Sequence, residues 1–528
     1  MDESRRKLES LAYLGSSIAA DTSGGDGLAK RGRWAKFRPK PSSELDAIDK
    51  GSFDPSSRES YEHVPENPFL RVLDSPLSTF SIDVDTASYS NVRRFLQGGQ
   101  LPPRNAVRIE ELINYFSYDY PQPTGDDPFS VNVEIADCPW NSEHRLAKIG
   151  LKGYEIAAEN RPSANLVFLV DVSGSMGAPN KLPLLKQSMQ MLADELNEYD
   201  YVSIVVYAGA SGLVLSPTSC ENRGAIIDAL SRLNSGGSTN GGAGIQLAYD
   251  VAVDNFIEGG VNRVILATDG DFNVGVTDDG SLVRLIEEKA KSGVFLSVLG
   301  FGSGNLQDSK MESLADKGNG NYAYIDTVLE AKKVLVDQLG ATLETVAKDV
   351  KIQVEFNPAE VEGYRLIGYE NRLLEAQDFN DDTKDAGEIG AGHTVTALYE
   401  VVPKGVKLEA PKVDGLRYQE QRELADSEFD DELLFVKLRY KQPEGDVSTL
   451  IEEPVRGSGT DFQELSEDTR WAAAVAAYAM VLRDSPYKGT ATIHDVQRWA
   501  LESVGDDRGG YRAQFVGLVG KTKPLLDD

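Results

Sequence analysis

Cysteine is almost absent from this 528-residue chain, which carries only Cys138 and Cys220. Two residues are far too few for a disulfide-built fold, lack the paired spacing of a zinc site and leave the redox compartment open. Histidine is nearly as scarce, at His63, His144, His393 and His494, which leaves few partners for nucleophilic Ser–His chemistry. No apolar run approaches the ~20 residues needed to span a bilayer. The N-terminus from Met1 to Glu9 is charged instead of signal-like. Positive charge is in deficit: 54 Lys and Arg against 84 Asp and Glu leave a net charge of −30. Such a surface repels phosphate backbones and anionic lipid heads, so it argues against nucleic acid as a partner. Solubility is the plain reading of the excess.

Hydrophobic residues at 41% and charged residues at 26% are ordinary globular usage, so most of the chain is expected to fold. Its length exceeds what one core organises, which predicts several domains. Segment 1–58 mixes a Gly/Ser/Asp stretch with a basic run at 30–40 and reads as a tether. Segment 59–127 reads as a small α+β unit, with strand-like alternation at 80–84 and helical spacing at 92–96 and 109–116. Segment 128–161 offers strands at 131–135 and 146–151. Segment 162–347 alternates nearly all-apolar strands (166–170, 202–207, 264–267, 295–299) with amphipathic helices (181–197, 223–233, 244–256, 282–292, 328–346). That pattern predicts an α/β fold with a mainly parallel sheet covered on both faces. Segment 348–457 returns to strand-like alternation at 350–356, 394–402 and 433–440. Strands on both sides of the α/β domain suggest one β-sandwich into which it is inserted; a separate C-terminal β domain is the competing topology. Segment 458–528 is helical, with an Ala-rich run at 471–483 and a Thr492…Asp495 capping pattern.

The strand at 166–170 runs straight into Asp171-Val172-Ser173-Gly174-Ser175-Met176. Polar side chains therefore stand at the carboxyl end of a parallel strand, the edge where open α/β sheets bind ligands. Alternate residues of a tight turn face one point, so the Asp171 carboxylate and the Ser173 and Ser175 hydroxyls converge as hard oxygen donors. Taken alone, this motif is weak, because Asp and Ser also cap helices. Two further loops change the weighting: Gly236-Gly237-Ser238-Thr239-Asn240-Gly241 precedes a helix, and Ala267-Thr268-Asp269-Gly270-Asp271 closes another strand.

These three loops, in this order, resemble those of the von Willebrand factor A (VWA) family over about 180 residues. The resemblance implies a Rossmann-like VWA domain with a metal-ion-dependent adhesion site, in which Asp171, Ser173, Ser175, Thr239 and Asp269 hold Mg²⁺, with Mn²⁺ or Ca²⁺ as substitutes. Mg²⁺ prefers roughly six oxygens near ~2.1 Å. Three hydroxyls and few charged oxygens leave it electron-poor, and an open position then favours a partner's Asp or Glu carboxylate. The resemblance further implies that Thr239 and Asp269 exchange direct and water-mediated coordination while the helix at 328–346 shifts.

The remaining motifs read as ordinary structure. Asp269-x-Asp271-x-Asn273 begins like a calcium loop, but Val274 stands where glycine is required and Gly280 where glutamate is. Asp83-x-Asp85 reads first as the polar face of a strand. The glycine-rich loop lacks the Lys-Ser/Thr of a phosphate loop, and Ser173 stands where a nucleophile elbow needs glycine. The stretches at 76–89 and 107–116, Cys138-Pro139-Trp140, and Gly510 to Phe515 resemble a bacterial VWA protein family, covering residues 60 to 520. That resemblance implies a non-enzymatic, lipid-anchored protein of the cell envelope. The chain as given has no signal-like start or lipid-attachment cysteine, so this location rests on the resemblance alone. The expectation is a metal-dependent adhesion or scaffolding protein. The alternative is a cytoplasmic VWA subunit serving an AAA+ ATPase.

Overall fold

The computed structural model describes residues 59, 61, 63, 65–157, 160–237, 241–270, 279–303, 307–408, 410, 429, 431–443, 445–457 and 459–526. The tether expected at 1–58 lies outside them.

A six-stranded sheet has the order Tyr322–Ile325, Phe295–Phe301, Val261–Thr268, Ala164–Asp171, Tyr201–Tyr207, Ser211–Ser219. The first five strands are parallel and the last is antiparallel. All eight residues of Ala164–Asp171 are buried. Leu166, Phe168 and Val170 enter one core, with Leu185, Met189 and Ile226 of two covering helices. Val167 and Leu169 enter the opposite core, with Ile245, Leu282 and Met311 of three others. Each such side chain contributes ~1.5–3 kcal/mol by leaving water, which is why an unbroken apolar run becomes a central strand. The edge strand Ser211–Ser219 carries Gly212 and Pro217 and no buried residue. It follows no apolar pattern, and a proline is tolerated there because an edge has ladder positions free of pairing.

Two antiparallel sheets form a sandwich. One has the order Leu70–Arg71, Val361–Ile367, Thr394–Pro403, Asn141–Gly153, Phe129–Cys138. The other runs Gly387–Gly390, Thr345–Phe356, Glu432–Lys441, Ser448–Arg456, with Leu77–Ser81 also paired to Thr345–Phe356. Ile149, Leu151, Val395 and Tyr399 of the first share a core with Phe80, Ile352, Val354 and Val436 of the second. Strands from before and after the α/β domain thus complete one another. That domain is inserted between Gly153 and Thr345, and the competing topology of a separate C-terminal β domain is not formed. Segment 59–127 supplies strands to both sheets. Its helices Ala87–Gln97 and Ile109–Asn114 pack with the C-terminal helices Glu467–Arg483, Ile493–Glu502 and Tyr511–Leu526.

Three local expectations change. The residues 328–346 are an α-turn Val328–Lys332, a π-turn Lys333–Asp337 and a short helix Leu339–Leu343, not one helix. The break falls at Gln338, ahead of Gly340, and Thr345 is drawn into pairing with Gly390 of the sandwich. The strand read at 80–84 ends at Ser81, and Asp83 and Asp85 are buried instead of forming a solvated face. Strands Val361–Ile367 and Ser448–Arg456 were outside the alternating segments singled out above. By contrast, the capping box at Thr492 and Asp495 forms as the pattern requires.

Trp471 is fully buried, edge-on to Phe116 at 5.1 Å and Phe515 at 5.2 Å between ring centroids. Trp471→Ala should cost ~3–5 kcal/mol in urea unfolding, because it opens the core shared by N-terminal and C-terminal helices. A loss under ~1 kcal/mol would contradict a shared core.

Candidate metal centre

Asp171 ends the central strand, between Tyr207 on one neighbour and Ala267 beside Val170 on the other. Its carboxylate is held from its own loop, where the Ser173 amide donates to Oδ1 at 2.8 Å. The Ser173 and Ser175 hydroxyls are 3.0 Å apart, so the turn brings both to one point, as the alternate spacing requires. The second loop lies against the first: the Gly236 amide donates to the Val172 carbonyl at 2.7 Å and the Gly174 amide to the Gly237 carbonyl at 3.1 Å. Gly237 has φ +86°, a conformation that strains residues with a Cβ. Thr239 itself lies outside the described residues, two positions beyond this anchored pair. Asp269 follows the strand Val261–Thr268 and is buried. Residues 271–278, which hold the calcium-loop lookalike, are outside the described set.

Of the five residues expected at the site, four are described, and they stand at the carboxyl ends of two adjacent strands. The structure adds two that sequence patterns missed. Lys181, read only as the start of a helix, is buried and donates from Nζ to Asp269 Oδ2 at 2.8 Å. A cation at a helix N-terminus opposes the helix dipole, and that misfit was the available signal. Tyr207 is the other: it is wholly buried and interacts with the Asp171 carboxylate. It looked like one more apolar strand residue.

The donors fit a hard cation. Asp171 Oδ2 is buried without a hydrogen-bond donor, a costly state for a carboxylate oxygen that coordination would relieve. Burial pushes the Asp171 carboxyl up to about 6; the Ser173 amide and the nearby Ser173 and Tyr207 hydroxyls oppose this, and the Asp269 charge adds to it. Lys181 already places one positive charge on the other carboxylate.

The model for the von Willebrand factor type A domain matches residues 165–338, one for von Willebrand factor matches 55–148, and one described as "Uncharacterized protein YfbK, C-terminal" matches 341–525. The Escherichia coli strain K12 protein YfbK is 45% identical over 466 residues, covering 87% of this chain and 80% of that protein. The chain belongs to the YfbK family of VWA-domain proteins. The human inter-alpha-trypsin inhibitor heavy chain H4 is 29% identical over 150 residues, 26% of this chain and 16% of that protein. Among solved structures, a von Willebrand factor type A protein from Catenulispora acidiphila aligns with TM-score 0.38 and 17% identity, over 71% of this chain and 87% of that one. Membership of the family carries the Rossmann-like VWA fold, and VWA domains commonly mediate protein–protein interaction and often bind a divalent metal.

The raised pKa fixes a sign. A carboxyl that is more easily protonated when folded than when unfolded destabilises the metal-free protein increasingly as pH rises from its ordinary 3.8 through about 6. Asp171→Asn should therefore raise metal-free stability at pH 7 by ~1–2 kcal/mol and leave it unchanged near pH 3. Urea melts in chelator at both pH values read this, and equal effects at the two would refute the assignment.

Proposed function

We propose that this chain is a metal-dependent protein-binding protein of adhesion or scaffolding type. Asp171, Ser173, Ser175, Thr239 and Asp269 hold the ion, by preference Mg²⁺. The observation that carries the reading is the orphaned Asp171 Oδ2 beside two convergent hydroxyls at the edge of the parallel sheet. When bound, the cation supplies an electrophilic position for a partner's Asp or Glu carboxylate. The chain's own residues orient the oxygens: Ser173 fixes Asp171 through its amide, and Lys181 offsets the charge of Asp269. With one carboxylate already balanced, the bound ion keeps the affinity for an external carboxylate that a wholly anionic cage would quench.

Binding without catalysis is part of the proposal. The Ser173 and Ser175 hydroxyls face each other and a carboxylate, with no histidine among the described residues hydrogen-bonded to either. His144 is engaged with Glu400 at 2.6 Å in the sandwich. His393 is held neutral there by burial and by the Lys333 and Lys152 charges, its pKa lowered to about 4. An envelope location, with a lipid anchor upstream, belongs to the same proposal. No described helix is long and apolar enough to cross a membrane.

Asp171→Ala and Thr239→Ala should each lower Mg²⁺ affinity at least ~100-fold, equivalent to ~3 kcal/mol, while circular dichroism and the melting transition are retained. Capture of envelope proteins by the native chain should require Mg²⁺ and be lost with Asp171→Ala. Unchanged Mg²⁺ affinity in both variants would end the proposal.

A further inference from the structure

A second set of carboxylates lies apart from the five oxygens of the VWA edge. Asp83 in the segment after strand Leu77–Ser81, Glu111 in helix Ile109–Asn114 and Glu312 in helix Asp308–Lys317 are all buried. Each brings one carboxylate oxygen within 4.8 Å of the other two. The first two belong to the frame around the sandwich and the third to the VWA domain, so the cluster sits on the seam between them.

Two guanidinium groups enter this seam. Arg108 pairs with Glu111, with Asp308 at 2.7 Å and with Glu312 at 3.3 Å. Arg372 reaches Asp83 and Asp85 at 3.3 Å each, Glu312 at 3.1 Å and Asp316 at 2.7 Å. Six carboxylates thus share two positive charges. Burying uncompensated charge is costly, so such a set either takes up protons or recruits a cation.

One atom distinguishes the two outcomes. Asp83 is 4% exposed; its Oδ1 accepts the Asp85 amide at 3.0 Å, but its Oδ2 has no hydrogen-bond donor. Arg372 Nε, 3.3 Å away, is out of hydrogen-bonding geometry and has no acceptor either. A plain ion-pair network would close this contact. That oxygen is instead left without a donor, on a carboxylate that also comes within 4.8 Å of those of Glu111 and Glu312.

We propose that Asp83, Glu111 and Glu312 form a second divalent-cation site, clamping VWA helix Asp308–Lys317 to the frame, and that calcium is the ion it suits. Calcium accepts carboxylate oxygens at ~2.4 Å in irregular geometry and binds through several carboxylates at once, whereas magnesium at ~2.1 Å demands octahedral order and keeps most of its waters. Burial, with repulsion from neighbouring carboxylates, pushes Glu312 up to about 7 and Glu111 well above its ordinary range, although Arg108 and, for Glu312, Arg372 oppose this. The inference does not depend on the VWA-edge site.

The test is calorimetric titration of the full, chelator-stripped chain with CaCl₂ in an Asp171→Ala background, which silences the first site. One calcium-binding event should persist there, together with a calcium-dependent rise in melting temperature. Adding Asp83→Asn or Glu312→Gln should abolish both. The melting temperature in EDTA should hold or rise, because a repelling charge has gone. Absence of calcium binding in the Asp171→Ala chain would overturn the proposal, as would its survival in both double variants. A variant that melts early in EDTA is replaced by the other, whose substitution lies on a different element. Loss of Mg²⁺ binding in Asp171→Ala with calcium binding kept separates the two sites.

Discussion

The burial of strand Ala164–Asp171 along its whole length, between two parallel neighbours, is the constraint on which the rest depends. With both faces covered, every side chain from Leu166 to Val170 is apolar. The next polar residue falls where the strand leaves the sheet, and Asp171 is that residue. Its backbone position is set by two ladders, so the loop after it needs only a few hydrogen bonds to orient three oxygen donors. The sheet neighbour Val261–Thr268, itself held by two parallel ladders, brings Asp269 to the same edge.

The VWA domain leaves and rejoins the sandwich through strands Asn141–Gly153 and Thr345–Phe356, which lie in different sheets of one core. It is also fastened by charge. Arg93, with no exposed side-chain surface, binds Asp326 and also Glu330 at 2.7 Å in the VWA domain, and Tyr115 of the frame at 3.0 Å. Buried ion pairs add little net stability, but losing one partner leaves an unpaired charge. They therefore act on register more than on overall stability, and hold the VWA domain in one orientation on its frame. The π-turn Lys333–Asp337 begins three residues beyond Glu330. The segment that VWA relatives are expected to shift is thus pinned at one end and irregular in the middle.

Much of this was legible beforehand. The strands read at 166–170, 202–207, 264–267 and 295–299 are present because a doubly covered strand has to be an apolar run. The Asp171 loop was legible because it interrupts such a run at the ligand-binding edge. The edge strand Ser211–Ser219 was not, since a strand paired on one side and open on the other carries no consistent pattern. Asp83 and Asp85 were read as a polar strand face because alternation is blind to what lies opposite. Arg372, nearly 290 residues downstream, is what their carboxylates face.

The sequence by itself determined the α/β class and the polar residues that follow its central strands, because each depends on residues close along the chain. Only the tertiary structure decided that the flanking strands make one sandwich, that Lys181 balances Asp269, and that carboxylates from two parts of the chain meet with too few cations. Those outcomes turn on which distant groups share a buried volume, and the energy of burying charge depends on that neighbourhood and not on local order.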